Sequence, residues 1–255
     1  MDKKLEAFGR LLTIMDELRE QCPWDKKQTM QSLRHLTIEE TYELTDAIFK
    51  NDLPEVKKEL GDVLLHIVFY ARIASETNAF DIADVIHSLC EKLISRHPHI
   101  YGDVKVADEE EVKQNWEKLK LKEGNKSVFG GVPSSLPSVI KALRIQDKAA
   151  QVGFDWPDTQ QVWDKVDEEM AELKETITEQ QELIKTEEEL GDLMFALVNL
   201  SRHLNINPDD ALERTNQKFI QRFQFIEEKC REQGKKITDI NLLEMELLWQ
   251  LAKTK

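Results

Sequence analysis

The chain carries one device written twice. The tetrapeptide "ELGD" occurs at 59–62 and again at 189–192, an offset of 130 residues. Four residues recur by chance in an acidic chain, but here the neighbours recur with them. "IEETYEL" (38–44) matches "DEEMAEL" (167–173) at offset 129, pairing Glu39, Glu40 and Glu43 with Glu168, Glu169 and Glu172. "CPWDKKQT" (22–29) and "GFDWPDTQ" (153–160) each set a Trp and an Asp just before that segment. "EKLISR" (91–96) matches "QKFIQR" (217–222), pairing Lys92 with Lys218 and Arg96 with Arg222. Offsets drifting between 126 and 132 are what changes in loop length produce, and they mark the duplication of a whole domain. Any fold must therefore be one that half of the chain can adopt twice.

Nine Gly and seven Pro are few for 255 residues, and the 33% charged residues alternate with apolar ones at helical intervals. Both features predict an all-α fold, two tandem helical domains in one chain. The one Gly/Pro/Ser-rich stretch, "KEGNKSVFGGVPSSLPS" at 122–138, places the boundary. The expected organisation is an N-terminal domain over 1–122, a linker over 123–137 and a C-terminal domain over 138–255. A mostly polar helix predicted at 107–122 bridges the halves. A net charge of −14 repels polyanions, and no run of Lys/Arg with interleaved aromatics offsets it, so nucleic acid is not an expected partner. Cys22, Cys90 and Cys230 stand apart with no CxxC spacing, which reads as reduced thiols rather than a zinc site or a disulfide framework. With no apolar stretch near the roughly 18 residues that span a bilayer, no membrane association is expected and a cytoplasmic location is.

Within each half the acids occupy two helices. Glu40 and Glu43 are three apart and so neighbours on one face, as are Glu59 and Asp62. Between them "FKNDLPEV" (49–56) supplies turn and N-cap chemistry through Asn51, Asp52 and Pro54. A hairpin turning at residue 51 sets Glu43 opposite Glu59 and Glu40 opposite Asp62. In the second half a turn between Gln180 and Gln181 sets Glu172 opposite Glu189 and Glu169 opposite Asp192. There Thr178 and Gln181 have the T-x-x-Q form of a capping box. The helices continue as "VLLHIVFYA" (63–71) and "LMFALVNL" (193–200), apolar nearly all round and so expected to be buried.

Four carboxylates at one level repel, each like pair at ~4 Å by about 4 kcal/mol at an effective dielectric of about 20. A cation or protons must hold such a cluster together. All-oxygen ligation selects a hard ion, Mg²⁺ or Mn²⁺, and with it the hydrolysis of phosphate esters or anhydrides. A single EExxE in an acidic chain reads as a solvated helix face; duplication across facing helices is what argues for a site. A di-iron bundle needs Glu-x-x-His, and none of the six histidines has Glu three residues before it. His66, four residues after Asp62, reads as a core or supporting residue, and "RHPHIYG" (96–102) as a helix end at Pro98. Phosphates out of a metal's reach need cations. Lys218 and Arg222 share a helical face, and Lys185 lies four residues before Glu189. Trp249 offers a ring on which a base can stack, although a Trp on an amphipathic helix is commonly core.

Twice-repeated EExxE and ExxD about 20 residues apart, with "CPWD", "ETYEL", "RHPH" and "NQKFIQR", resemble the MazG family of nucleoside triphosphate pyrophosphohydrolases over essentially the whole chain. The resemblance implies Mg²⁺-dependent hydrolysis of NTP or dNTP to the monophosphate and pyrophosphate, by water attack at the α-phosphorus, for nucleotide-pool housecleaning. It also implies a homodimer in which helices of both subunits complete four-helix sites, with the C-terminal half as the main catalytic one. Carried over by resemblance, Glu169, Glu172, Glu189 and Asp192 are metal ligands. Lys165, Lys185, Asn216, Lys218, Arg222 and Trp249 contact nucleotide. Glu168, with Glu188 as rival, orients or deprotonates the attacking water. The first half keeps Glu40, Glu43, Glu59 and Asp62 as second-copy ligands with Lys92 and Arg96, but has Cys90 where the second has Asn216, and no counterpart of Trp249. Broad base tolerance is expected. The rivals are a narrower dUTP, dCTP or modified-nucleotide pyrophosphatase, and a non-catalytic acidic helical protein that has no need of Lys218 and Arg222 near the acids.

Overall fold

Side-chain caps set most helix starts in this chain. In the computed structural model, which describes residues 2–106, 108, 112, 115, 116 and 127–254, the chain divides into two compact units, Met1–Ala107 and Asp108–Lys255. The first holds α1 (Lys3–Gln21), α2 (Met30–Phe49), α3 (Leu53–Ser75), α4 (Ile82–Arg96) and a one-turn α5 (Pro98–Tyr101). The second holds α6 (Ser138–Gln151), α7 (Thr159–Thr178), α8 (Leu183–His203), α9 (Pro208–Glu232) and α10 (Leu242–Lys253). No strand occurs among the described residues, as an all-α fold requires. The helix expected at 107–122 and the first residues of the expected linker lie largely outside the described residues.

In the first unit α2 and α3 form the predicted antiparallel hairpin. Asp52 caps α3 by accepting from the Glu55 backbone N–H at 3.2 Å, Pro54 sits in the first turn, and Asn51 turns the chain with φ 55°. Asn tolerates this left-handed conformation better than most residues. Thr29 and Ser32 cap α2 reciprocally. The α7–α8 hairpin repeats the plan, with Gln180 at φ 54° in the place of Asn51. The capping box expected from Thr178 and Gln181 does not form. Thr178 is the last residue of α7 and donates its hydroxyl back to the Lys174 carbonyl at 2.8 Å, while α8 starts after Glu182 with no side-chain cap. A Thr near a helix end has that local carbonyl within reach, and the bond there won.

Each hairpin packs on the first helix of its unit. In the first, α1 lays Met15 against Leu33 of α2 and Val68 and Phe69 of α3. In the second, Val162 and Val166 of α7 meet Ala196 and Leu200 of α8, while Ile226 and Cys230 of α9 meet Ile240, Leu248 and Trp249. The apolar runs expected to be wholly buried are buried on one face only. Val68, Phe69, Val198 and Leu200 are buried, but Leu64, Ile67, Met194 and Leu197 are 38–52% exposed within one chain. Periodicity reports the width of an apolar surface, not what covers it.

Candidate metal and nucleotide site

The hairpin turns decide which acids meet. With α2 and α3 antiparallel about Asn51, carboxylate oxygens of Glu40, Glu43 and Glu59 lie within 4.8 Å of one another. With α7 and α8 antiparallel about Gln180, those of Glu169, Glu172 and Glu189 do the same. Asp62 is near enough to act on the Glu40 carboxyl, and Asp192 lines a cavity together with Glu169. Glu59 and Glu169 form the buried floor of the two clusters, 1% and 6% exposed, whereas Glu43 and Glu172 stand at the surface.

One lysine neutralises part of each cluster, and it comes from a different helix in each. Lys58 of α3 lies 2.6 Å from Glu59 and 2.9 Å from Glu55. Lys165 of α7 lies 2.6 Å from Glu169 and 2.8 Å from Glu168. Partial desolvation, then the charges of Glu169, Glu189 and Glu168, hold the Glu172 carboxyl above the ordinary range. Desolvation, then Asp62, Glu43 and Glu59, do the same for Glu40. Glu59 Oε2 is buried with no hydrogen-bond partner among the described residues. A buried carboxylate oxygen left without a donor is costly unless something outside the chain meets it, and hard, all-oxygen donor sets suit Mg²⁺ or Mn²⁺. Both acidic clusters are thus fit to bind a metal ion.

A second arrangement lines the same cavity as Glu169 and Asp192. Arg202 of α8 grips Asp155 bidentately, with Nη1 2.8 Å from Oδ2, and donates to Asn199 Oδ1 at 2.9–3.0 Å; His203 joins Asp155 at 3.1 Å. Arg72, at the matching position of α3, instead grips Asp16 at 2.6 Å. The recurrence of Arg72 and Arg202 at the offset of 130 is the signal by which sequence inspection finds this clamp, and reading the acids alone passes it over.

A family model described as the MazG nucleotide pyrophosphohydrolase domain matches residues 28–101 and 159–225, the two hairpins with their following helices. The chain belongs to the MazG family. It is 41% identical over 260 aligned positions to the nucleoside triphosphate pyrophosphohydrolase of Escherichia coli K12, covering 98% of both chains. It is 45% identical to the nucleoside triphosphate pyrophosphohydrolase/pyrophosphatase MazG of Thermotoga maritima, covering 96% of this chain and 95% of that one. The same identity extends to the uncharacterized protein YabN of Bacillus subtilis, of which this chain spans 51%.

Of the remaining positions singled out by resemblance to MazG proteins, Lys185 is on α8 with Glu189, whereas Asn216, Lys218, Arg222 and Trp249 are on α9 and α10. Lys218 and Arg222 line an open cavity along α9 and α10 that none of the four acids lines. Trp249 is half-buried on the α9–α10 core, its ring 5.0 Å from that of Phe219 and 5.5 Å from the Arg222 guanidinium. Asn216 donates to Glu213 at 3.2 Å, and Lys185 is exposed in the first turn of α8. His66 is buried and hydrogen-bonded to the Thr37 hydroxyl at 2.9 Å, which also lies 2.5 Å from the Tyr70 hydroxyl, a supporting core network rather than a ligand. Among the described residues no helix is long and apolar enough to cross a membrane.

Proposed function

We infer that this MazG chain is a nucleoside triphosphate pyrophosphohydrolase, converting NTP or dNTP and water to the monophosphate and pyrophosphate. The observation that carries the reading is the Glu169–Glu172–Glu189 cluster on the α7–α8 hairpin, in a chain related over nearly its full length to two proteins of that name. Glu169, Glu172, Glu189 and Asp192 would hold Mg²⁺, with Mn²⁺ as substitute, and Glu40, Glu43, Glu59 and Asp62 are the second-copy set. Bound there, such an ion would supply positive charge for the phosphoryl oxygens and lower the pKa of water. Glu168 orients the attacking water and takes its proton. Its carboxylate accepts from Lys165 Nζ at 2.8 Å, a contact that fixes where it points. The water oxygen bonds to the α-phosphorus as the α–β bridging oxygen departs with the pyrophosphate.

Phosphates beyond the acids need cations, and Lys185, Lys218 and Arg222 with Asn216 and Trp249 are the proposed set. Because Lys218 and Arg222 line a different cavity from the acids, a homodimer in which a second copy completes each four-helix site accounts for both groups. The uncovered apolar stripe on α8 supports the same assembly: Leu190, Met194 and Leu197, at i, i+4 and i+7, are 44–52% exposed. Broad base tolerance, rather than a narrower dUTP or dCTP preference, and nucleotide-pool housecleaning in the cytoplasm complete the reading. The test is direct. Purified protein with Mg²⁺ is expected to release pyrophosphate from each common NTP and to stop on adding EDTA; release of orthophosphate alone, or no turnover, overturns the reading.

A further inference from the structure

A cavity of about 350 Å³ opens beside the second acidic cluster, and Glu169, Asp192, Phe154, Trp156, Gln146 and Asn199 are among the residues that line it. Its volume is near the lower end for small-ligand sites. Phe154 is 79% and Trp156 39% exposed, an unusual amount of aromatic surface to leave in water. Two buried amides add polar points. Gln146, 6% exposed, donates Nε2 to the Phe195 carbonyl at 2.8 Å, and because a carbonyl only accepts, this fixes which end of the amide is which. Its Oε1 is buried with no partner among the described residues. Asn199, 4% exposed, spends its oxygen on Arg202, so its amide nitrogen is the end left to donate.

The first unit has the same helices but not the same space. At the offset of 130, Ala196 and Asn199 correspond to His66 and Phe69, and at 129 Lys165 corresponds to Leu36. His66 and Phe69 are 7% and 3% exposed, and Leu36 packs on the same core. At these matched positions the first unit therefore has buried His66 and Phe69 where the second borders a cavity.

We propose that the cavity of the second unit takes the nucleobase of the triphosphate, its ring against Phe154 and Trp156 and an N–H of its edge on Gln146 Oε1. A flat, mostly apolar body with hydrogen-bonding edges is what this lining complements, and every common nucleobase carries an N–H, so the pocket accepts all of them. The inference rests on the triphosphate reading above. It assigns the base to Phe154 and Trp156 rather than to Trp249, whose ring is already covered by Phe219 and Arg222.

The test assays the full-length protein with Mg²⁺ on ATP, GTP, CTP, UTP and the base-less ribose 5-triphosphate. Gln146→Leu, and separately Ala196→His, which imports the first unit's plug, are expected to lower kcat/KM for the nucleotides about tenfold or more relative to ribose 5-triphosphate. An equal loss on both kinds of substrate, or no loss on nucleotides, overturns the proposal. Melting curves identify a variant that fails to fold, and Gln146→Leu, close in volume, serves if Ala196→His does not. Should the wild-type protein hydrolyse no triphosphate, the activity has failed and the pocket is read without it, by calorimetry with adenosine. Saturable binding that Ala196→His removes supports the pocket; no binding, or binding that Ala196→His leaves intact, overturns it.

Discussion

Glu172→Gln is expected to lower kcat for NTP hydrolysis by about a thousandfold or more, while Glu43→Gln leaves most of the activity. The two residues occupy equivalent places, each at the surface of a three-carboxylate cluster held within 4.8 Å. Glutamine keeps the shape and removes the charge, so the substitution at 172 weakens the metal set without opening a void. It also relieves repulsion, for the Glu172 carboxyl is held above its ordinary range by partial desolvation and by Glu169 and Glu189. Glu172→Gln should thus melt no lower than the parent, which separates lost chemistry from lost fold. The asymmetry between the halves comes from what surrounds the acids: Ala196 and Asn199 border a cavity in one, and His66 and Phe69 are buried in the other. Steady-state kinetics of both variants decides, and equal inactivation would overturn the ranking of the second half above the first.

Met194→Lys combined with Leu197→Lys is expected to convert a dimer into a monomer in sedimentation velocity and to abolish turnover. These side chains are 52% and 44% exposed and lie on one stripe of α8 with Leu190, away from buried Ala196 and Leu200. The first unit repeats the stripe at Leu60, Leu64 and Ile67, 53%, 38% and 44% exposed, at the same offset of 130. Fully burying one such side chain contributes about 1.5–3 kcal/mol, so a half-exposed one still has about half of that to gain from a cover. Two lysines there place charges where a second copy would pack, while the core residues Val162, Val166, Ala196 and Leu200 of the α7–α8 hairpin are left in place. A variant that stays dimeric and active would show that this stripe is not the interface.

Local chemistry carried most of the fold. Asp52 and Pro54 mark the start of α3 because an N-cap acceptor and a proline in the first turn both suit the free N–H groups of a helix end. The meeting of Glu43 with Glu59 and of Glu172 with Glu189 followed from counting about the turns, since an antiparallel pair is fixed once its centre is known. At the second turn Thr178 misleads, because its hydroxyl reaches a carbonyl of its own helix and Gln180 turns the chain instead. Contacts between distant segments were hidden for a different reason. Gln146 meets the Phe195 carbonyl across 49 residues and Asp155 meets Arg202 across 47, and no periodicity joins such pairs. The hollow was equally illegible until the two units were laid side by side, for Ala196 is unremarked in an apolar run and becomes informative only opposite His66.

Hydrolysis of ATP in ¹⁸O-enriched water, with Mg²⁺ and mass analysis of both products, tests the reaction assigned to the α7–α8 cluster most directly. Attack at the α-phosphorus puts one ¹⁸O in AMP and none in pyrophosphate. Label in the pyrophosphate, or ADP with labelled orthophosphate, would contradict it.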